Sequence, residues 1–350
     1  MNIPARTLRT FFSSRLFLYV VLGFFVFEAL WFVFSALYPM AFDEEFHLGV
    51  IKIYAGQWLP FLAGQPDGAD AFGAVARDPS YLYHYIMSFP YRFLTAFTHN
   101  ETTLVIILRI INIAVFTWGL LLFRKLMLRA GVSPALSNVA LALFVLIPIV
   151  PQLAAHINYD NLLMVLVPVL CLLSFRLIEG FREHRIDSRV LLYFAIVCLM
   201  MSLVKYAALP IVAAAVSFLV VYLVLAFRGR FGKLWHVVSR DFMRISRVGR
   251  VVLAGLFLLA SGLFAQRYAV NMVQYGTPVP DCGNVLTVKQ CSAYGPWIRD
   301  HDRHKNLPAE FRANPVVYMG SWLGGMWHRL FFAVNGPKSD YLNYAQLPVP

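Results

Sequence analysis

The chain has 350 residues, of which 59% are hydrophobic and only 14% charged, and its mean hydropathy is positive. That balance excludes an ordinary soluble domain and describes a polytopic membrane protein. The net charge of +12 comes largely from Lys and Arg at the ends of apolar runs, which marks topology and excludes a nucleic-acid-binding face.

A bilayer core of roughly 30 Å needs about 20 apolar residues at 1.5 Å each. The run 16–38 meets this without interruption, and with no small-residue cleavage site it reads as an anchor and not a removed signal peptide. Further spans are expected at 104–123, 136–155, 162–178, 190–206, 209–227 and 251–268. Pro148, Pro151, Pro168 and Pro210 interrupt or bound these runs, which bundles tolerate where neighbouring helices satisfy the freed carbonyls. An eighth stretch, 316–334, carries Trp322, Trp327, His328 and Arg329, a mixture that suits a span and an interfacial helix equally. The expected fold class is an all-α polytopic membrane protein with seven to eight transmembrane helices and a long first extracytoplasmic loop carrying amphipathic interfacial helices.

Arg6, Arg9 and Arg15 in the tail, Arg124, Lys125 and Arg129, then Arg176, Arg182, Arg185 and Arg189, and the basic stretch 228–250 all fall on one side if every span crosses. The positive-inside rule makes that side cytoplasmic. The expected organisation is a cytoplasmic tail 1–15, a seven-helix membrane domain 16–268 that includes the extracytoplasmic loop 39–103, and an extracytoplasmic segment 269–350, in the plasma membrane. Cys171 and Cys198 lie within spans and read as buried apolar residues. Cys282 and Cys291 bracket a short polar loop on the outer side, where oxidation is permitted, and read as a disulfide.

The chemistry concentrates in Phe42-Asp43-Glu44-Glu45-Phe46-His47-Leu48-Gly49, directly after the first span. The stretch continues with helical periodicity and is expected to lie amphipathically along the membrane. Asp43 and His47 then share a helix face one turn apart, while Glu44 and Glu45 point elsewhere. The plain alternative is that the three acids cap a helix amino terminus, where the dipole favours negative charge.

This run is similar to the Asp-Glu motif that opens the first outer loop of protein O-mannosyltransferases and related lipid-linked-sugar transferases of the type C glycosyltransferase fold. Asp78-Pro79-Ser80-Tyr81-Leu82-Tyr83-His84-Tyr85 resembles the Pro-Pro-Leu-Tyr-Tyr element of the aminoarabinose transferase branch, with Ser80 in place of the second proline. Leu108-Arg109-Ile110-Ile111-Asn112 resembles the arginine at the outer end of the second span, and Val204-Lys205-Tyr206 the lysine turn between two later spans. The resemblance covers about 15–227; beyond it, the Cys282 to Cys291 loop with Ala293-Tyr294-Gly295-Pro296-Trp297 resembles a bacterial branch related to these transferases. Members of the fold carry several more spans, so the resemblance implies a shortened relative or a fragment.

What the resemblance implies is transfer of a sugar from a polyprenyl-phosphate-linked donor to an extracytoplasmic glycan, lipid or protein acceptor, with inversion. Asp43 aligns with the family's acid and is the expected base, Glu44 would hold the acceptor or orient a cation, and Lys205 and Arg109 would stabilise the departing phosphate. A charge within hydrocarbon costs upward of roughly 2.5 kcal/mol, so Arg109 and Lys205 either face a cavity or snorkel to the headgroups. His47, Asp78, Tyr81, Tyr83 and Asp160 are candidates for lining the cavity or meeting the acceptor; Asp78 and Asp160 read equally as turn residues. The clustered acids offer the oxygen ligands a divalent cation takes, without committing the site to a metal. With no glycine-rich phosphate loop, a nucleotide-driven mechanism is disfavoured. Two rival readings are a transporter or flippase subunit, against which there is no evident internal repeat, and a non-catalytic protein of envelope assembly or lipid-glycan binding.

Overall fold

The structure, a computed structural model, describes residues 5–40, 43–62, 64–229, 231–306 and 314–331. Among the described residues every regular element is helical. The chain runs through α1 (Ala5–Ser13), α2 (Arg15–Ser35), α3 (Glu44–Ala55), α4 (Leu82–Thr95), α5 (Glu101–Arg129), α6 (Pro134–Val145), α7 (Ile149–Ala154) and α8 (Asp160–Arg182). It continues through α9 (Ser188–Val204), α10 (Leu209–Ala226), α11 (Phe231–Arg244), α12 (Arg247–Phe264), α13 (Val270–Tyr275), α14 (Cys282–Val285), α15 (Val288–Cys291), α16 (Gly295–Asn306) and α17 (Pro315–Phe331).

Five helical stretches among the described residues are long and apolar enough to cross a membrane: Arg15–Ser35, Glu101–Arg129, Asp160–Arg182, Tyr206–Ala226 and Arg247–Tyr275. That is the character of a multi-pass membrane protein. Two other expected spans are shorter. Ser188–Val204 is one apolar helix of 17 residues. The run expected at 136–155 is broken into α6 and α7, with Pro148 at the junction, because a proline has no N–H for the preceding turn. The stretch expected at 316–334 forms α17, a helix of 17 residues whose described side chains are mostly exposed; residues 332–334 lie outside the described residues.

Side-chain caps define where the apolar helices start. Ser14 accepts from the backbone N–H of Phe17, Asn100 from that of Thr103, and Ser133, followed by Pro134, from that of Leu136. Asp187 and Ser246 do the same for α9 and α12. Each satisfies donors that the first helical turn leaves open.

The chain divides into two compact units. The first comprises residues 1–76, 84–161 and 281–350, and the second residues 77–83 and 162–280. In the first unit α2 packs against α5, α6 and α7, and Ala29, Val33, Met40, Ile113 and Ala155 form a buried apolar cluster at the end of α2. The first loop is folded: α3 buries Glu44, His47, Leu48, Val50, Ile51 and Tyr54 and leaves Glu45 exposed, so its inner face packs on protein and not on lipid. In the second unit α12 packs along α9, and α11 docks on the start of α9 through Asp241, whose carboxylate accepts from the backbone N–H of Ser188.

Cys282 and Cys291 are joined in a disulfide. Around it Trp297 packs with Leu286, Tyr294 and Ile298, and the Trp297 indole N–H donates to Asp281 at 2.8 Å. Tyr294 lies over Gly73, where φ is +71° and an added Cβ would sit 2.8 Å from the ring. Closing a loop of this length removes unfolded-chain entropy equivalent to about 2–3 kcal/mol. Cys282→Ser is therefore expected to lower the unfolding temperature measured in detergent, with Cys291→Ser adding nothing further, because either change opens the same loop.

Candidate functional site

The polar centre of the first unit is built where α2 ends and the chain turns into α3. Arg109, on α5 and 1% exposed, donates from Nε to Glu44 Oε1 at 2.8 Å and from Nη2 to Oε2 at 2.7 Å. Its Nη1 donates to the carbonyls of Ala36 at 3.1 Å and Val33 at 3.4 Å, which the end of α2 leaves open. Glu44, fully buried, also accepts from the backbone N–H of Met40 at 2.7 Å and of Ile157 at 3.4 Å. Burial by itself would raise the Glu44 carboxyl, but the Arg109 hydrogen bonds and charge, His156, and the Met40 N–H together hold it below the usual carboxylate range. The predicted pair Glu44 and Arg109 is brought together, yet as an internal ion pair: the guanidinium expected at a donor phosphate is engaged by protein oxygens.

Asp43 differs from its neighbour. It precedes α3 but makes no capping bond to that helix. Its Oδ2 lies 3.1 Å from Nε2 of His47, one turn along, with the side chain 45% exposed and His47 fully buried. Its Oδ1 is shielded from solvent and has no hydrogen-bond partner among the described residues. Burial pushes the Asp43 carboxyl up; the electrostatic attraction and hydrogen bond of His47, aided by His156, outweigh this and hold it well below the ordinary range. The carboxylate is ionised at neutral pH, with Oδ2 beside His47 and Oδ1 enclosed.

His47 continues the chain of polar contacts. Its Nδ1 is 2.8 Å from Nε2 of His84 on α4, and the two rings lie end to end, with centroids 5.1 Å apart and 20° between their planes. Tyr159 meets His47 edge-on at 4.6 Å and His84 at 6.0 Å, and His156 lies at 6.5 Å from His47. The turn carrying His156, Tyr159 and Asp160 is fixed by Asn161, whose amide donates to Asn112 Oδ1 and to the His156 carbonyl. Asp160 opens α8, and its backbone N–H donates to Asn158 Oδ1. His84, His156 and Tyr159 are members of the cluster that sequence reasoning did not single out. His84 sits inside the quoted loop element, but 37 residues separate it from His47, so no helical spacing relates them.

The other predicted residues belong to the second unit. Asp78 accepts from the Ser80 N–H at 2.8 Å, the turn role. Ser80 Oγ accepts from the Tyr206 N–H, which ties this segment to the turn holding Lys205. Tyr81 and Tyr83 are buried, and the guanidinium of fully buried Arg267 lies 4.5 Å over the Tyr81 ring. Lys205 occupies the extended break between α9 and α10. Arg267 falls in a π-helical turn, 265–269, of the kind that often marks functional positions. Among the described residues no group of three or more His, Cys, Asp or Glu is arranged to hold a metal ion. Compared with family models, curated proteins and solved structures, the chain gives no match.

Two outcomes follow. Removing one partner of a buried ion pair strands the other charge, at about 3–5 kcal/mol. Arg109→Met is expected to destabilise the protein by that order in detergent unfolding, and Arg109→Met with Glu44→Gln together by less than the sum of the two. His156 generates the second outcome. Its full burial, with His47 and Arg109 adding to the effect against the pull of Glu44 and Asp43, lowers its pKa in the folded state. The unfolded chain then binds more protons below about pH 6.5, so this contribution is intact above that value and is lost as pH falls. The unfolding midpoint is expected to drop between pH 7.5 and 5.5, with a shallower slope in His156→Leu.

Proposed function

We propose that the chain is an integral membrane glycosyltransferase that moves a sugar from a polyprenyl-phosphate-linked donor to an extracytoplasmic glycan, lipid or protein acceptor, with inversion, and that Asp43 is its base. The observation that carries the reading is the state of one carboxylate. Asp43 is ionised, half-exposed as a side chain, relieved of any capping duty, beside His47 through Oδ2 and, among the described residues, without a hydrogen-bond partner at the enclosed Oδ1, just beyond the first long apolar helix.

In the reaction the acceptor hydroxyl oxygen bonds to the anomeric carbon as the bond from that carbon to the phosphate oxygen breaks. The electron pair leaves with the lipid phosphate, and the hydroxyl proton passes to the Asp43 carboxylate. Glu44 and Arg109 become positioning residues, because their ion pair fixes the start of α3 and with it the Asp43 backbone. Lys205 keeps the donor-phosphate role on the resemblance alone. In this reading the shorter apolar helices also cross, giving seven spans in the plasma membrane, with the amino terminus cytoplasmic and the first loop outside.

Asp43→Asn preserves shape and removes the proton acceptor. Transfer of labelled sugar from a polyprenyl-phosphate donor in proteoliposomes is expected to fall by about 10²- to 10⁴-fold, at unchanged yield and unfolding temperature. Wild-type rates in this variant would sink the assignment.

A further inference from the structure

We propose that Arg244, Arg247 and Arg250, where α11 turns into α12, bind the phosphate of an anionic membrane phospholipid. α11 joins two helical stretches long and apolar enough to cross a membrane, Tyr206–Ala226 and Arg247–Tyr275, so it connects their ends at one membrane face. Its inner face is docked on the start of α9: Asp241 accepts from the Ser188 N–H at 2.7 Å, and the Ser188 hydroxyl donates to the Val238 carbonyl at 2.9 Å. Its outer face carries Arg240, Met243 and Arg244, all exposed. Arg247 opens α12, and Arg250 follows three residues on, a neighbour at helical spacing.

Hydrogen bonding singles out Arg250. A guanidinium is always charged and offers five N–H donors. Here Nη1 donates to the Met243 thioether at 2.8 Å, a weak acceptor, and Nε is enclosed without a hydrogen-bond partner among the described residues. A charged donor left unmet in an enclosed place is costly, so the group is built for an acceptor that its surroundings do not supply. The acids of this end of the second unit are engaged elsewhere: Asp241 with Ser188, Asp187 with the N–H groups of Arg189 and Val190, and Glu183 with Arg185. Among the described residues Arg244 and Arg247 have no carboxylate partner either.

The next turns of α12 identify the anion. Val248, Val251 and Val252 point outward, 74%, 67% and 52% exposed, and Leu258 and Leu259 continue the strip. Gly255 lies on the same strip, and nothing stands within 4 Å of where its Cβ would be. Cations at the head of a membrane-length helix, above an exposed apolar strip with a gap in it, match the order of a phospholipid: phosphate first, then acyl chain. A free phosphate ion would use only the first part. The Lys205 turn is a separate place, because α11 docks on the first residue of α9 and Lys205 follows its last, about 25 Å away at 1.5 Å per residue. The inference therefore does not rest on Asp43 or on sugar transfer.

The experiment is native mass spectrometry of the full-length protein in detergent, titrated with phosphatidylglycerol or with phosphatidylcholine of the same acyl chains. Unfolding temperatures are measured beside it with each lipid and with inorganic phosphate. The wild type is expected to retain phosphatidylglycerol in preference to phosphatidylcholine, and only phosphatidylglycerol should raise the unfolding temperature. Arg247→Gln should weaken phosphatidylglycerol binding about 5-fold, and Arg247→Gln with Arg250→Gln about 25-fold. Arg9→Gln, at an exposed arginine of α1, should leave it unchanged. Equal retention of the two lipids, or phosphatidylglycerol binding that survives the double change, overturns the proposal. A loss of equal size in Arg9→Gln overturns it as well, because the attraction would then be to overall charge. Inorganic phosphate that raises the unfolding temperature as far as phosphatidylglycerol, through the same arginines, overturns the lipid assignment in favour of a free-anion site. If the double variant does not fold, the lipid preference of the wild type and the Arg247→Gln titration decide.

Discussion

The ion pair between Glu44 and Arg109 is the constraint on which the first unit depends. One guanidinium gathers the open carbonyls at the end of α2, the first acid of α3 and, through Glu44, the backbone N–H groups of Met40 and Ile157. Segments far apart in sequence therefore meet at two side chains. Burying two charges costs several kcal/mol in desolvation, and only near-complete hydrogen bonding offsets it. That is why both oxygens of Glu44 carry partners. The return on this arrangement is specificity: a hydrophobic pair of the same volume would pack, but would not dictate where the chain turns after α2.

The same clamp separates the roles of adjacent acids. Glu44 points inward and is saturated, while Asp43, one residue earlier, is turned toward His47 and leaves its enclosed Oδ1 without a hydrogen-bond partner among the described residues. The far end of α3 is fixed similarly. Arg92 on α4 donates to the carbonyls of Ala55 and Tyr54, which the last turn of α3 leaves open. A helix held at both termini by buried or half-buried arginines gives its first residues little freedom, and preorganisation of that kind is what a positioned base requires.

Much of the architecture was legible because hydropathy and helical rotation are local. The long apolar runs became long helices, and the pairing of Asp43 with His47 followed from a spacing of four. The break within 136–155 was only half legible: Pro148 and Pro151 were visible, but mean hydropathy does not register a lost backbone hydrogen bond. The pairing of Arg109 was the larger gap. A buried cation demands an anion, and sequence does not reveal whether that anion arrives with a ligand or is the chain's own carboxylate 65 residues away. His84 escaped for the same reason, since contacts across the first loop have no period. The family resemblance pointed to Asp43 and Glu44 as a pair, and the physical difference between them lies in their partners.

A carboxyl held far below its ordinary range is a weak base, and this bears on how Asp43 would act. Against the opposing effect of burial, the pull of His47, with His156, keeps Asp43 ionised and, in the proposed reaction, would lower its affinity for the proton it takes. Such a base suits a reaction in which bond breaking to the phosphate runs ahead of nucleophilic attack, because the acceptor hydroxyl becomes acidic only as its oxygen shares electrons with the anomeric carbon. In the proposed reaction proton transfer would then come late, when little basicity is needed, and the orientation of the carboxylate would matter more than its strength. Under the proposed function the His47 contact would be an orienting device whose cost in basicity falls on the step least sensitive to it.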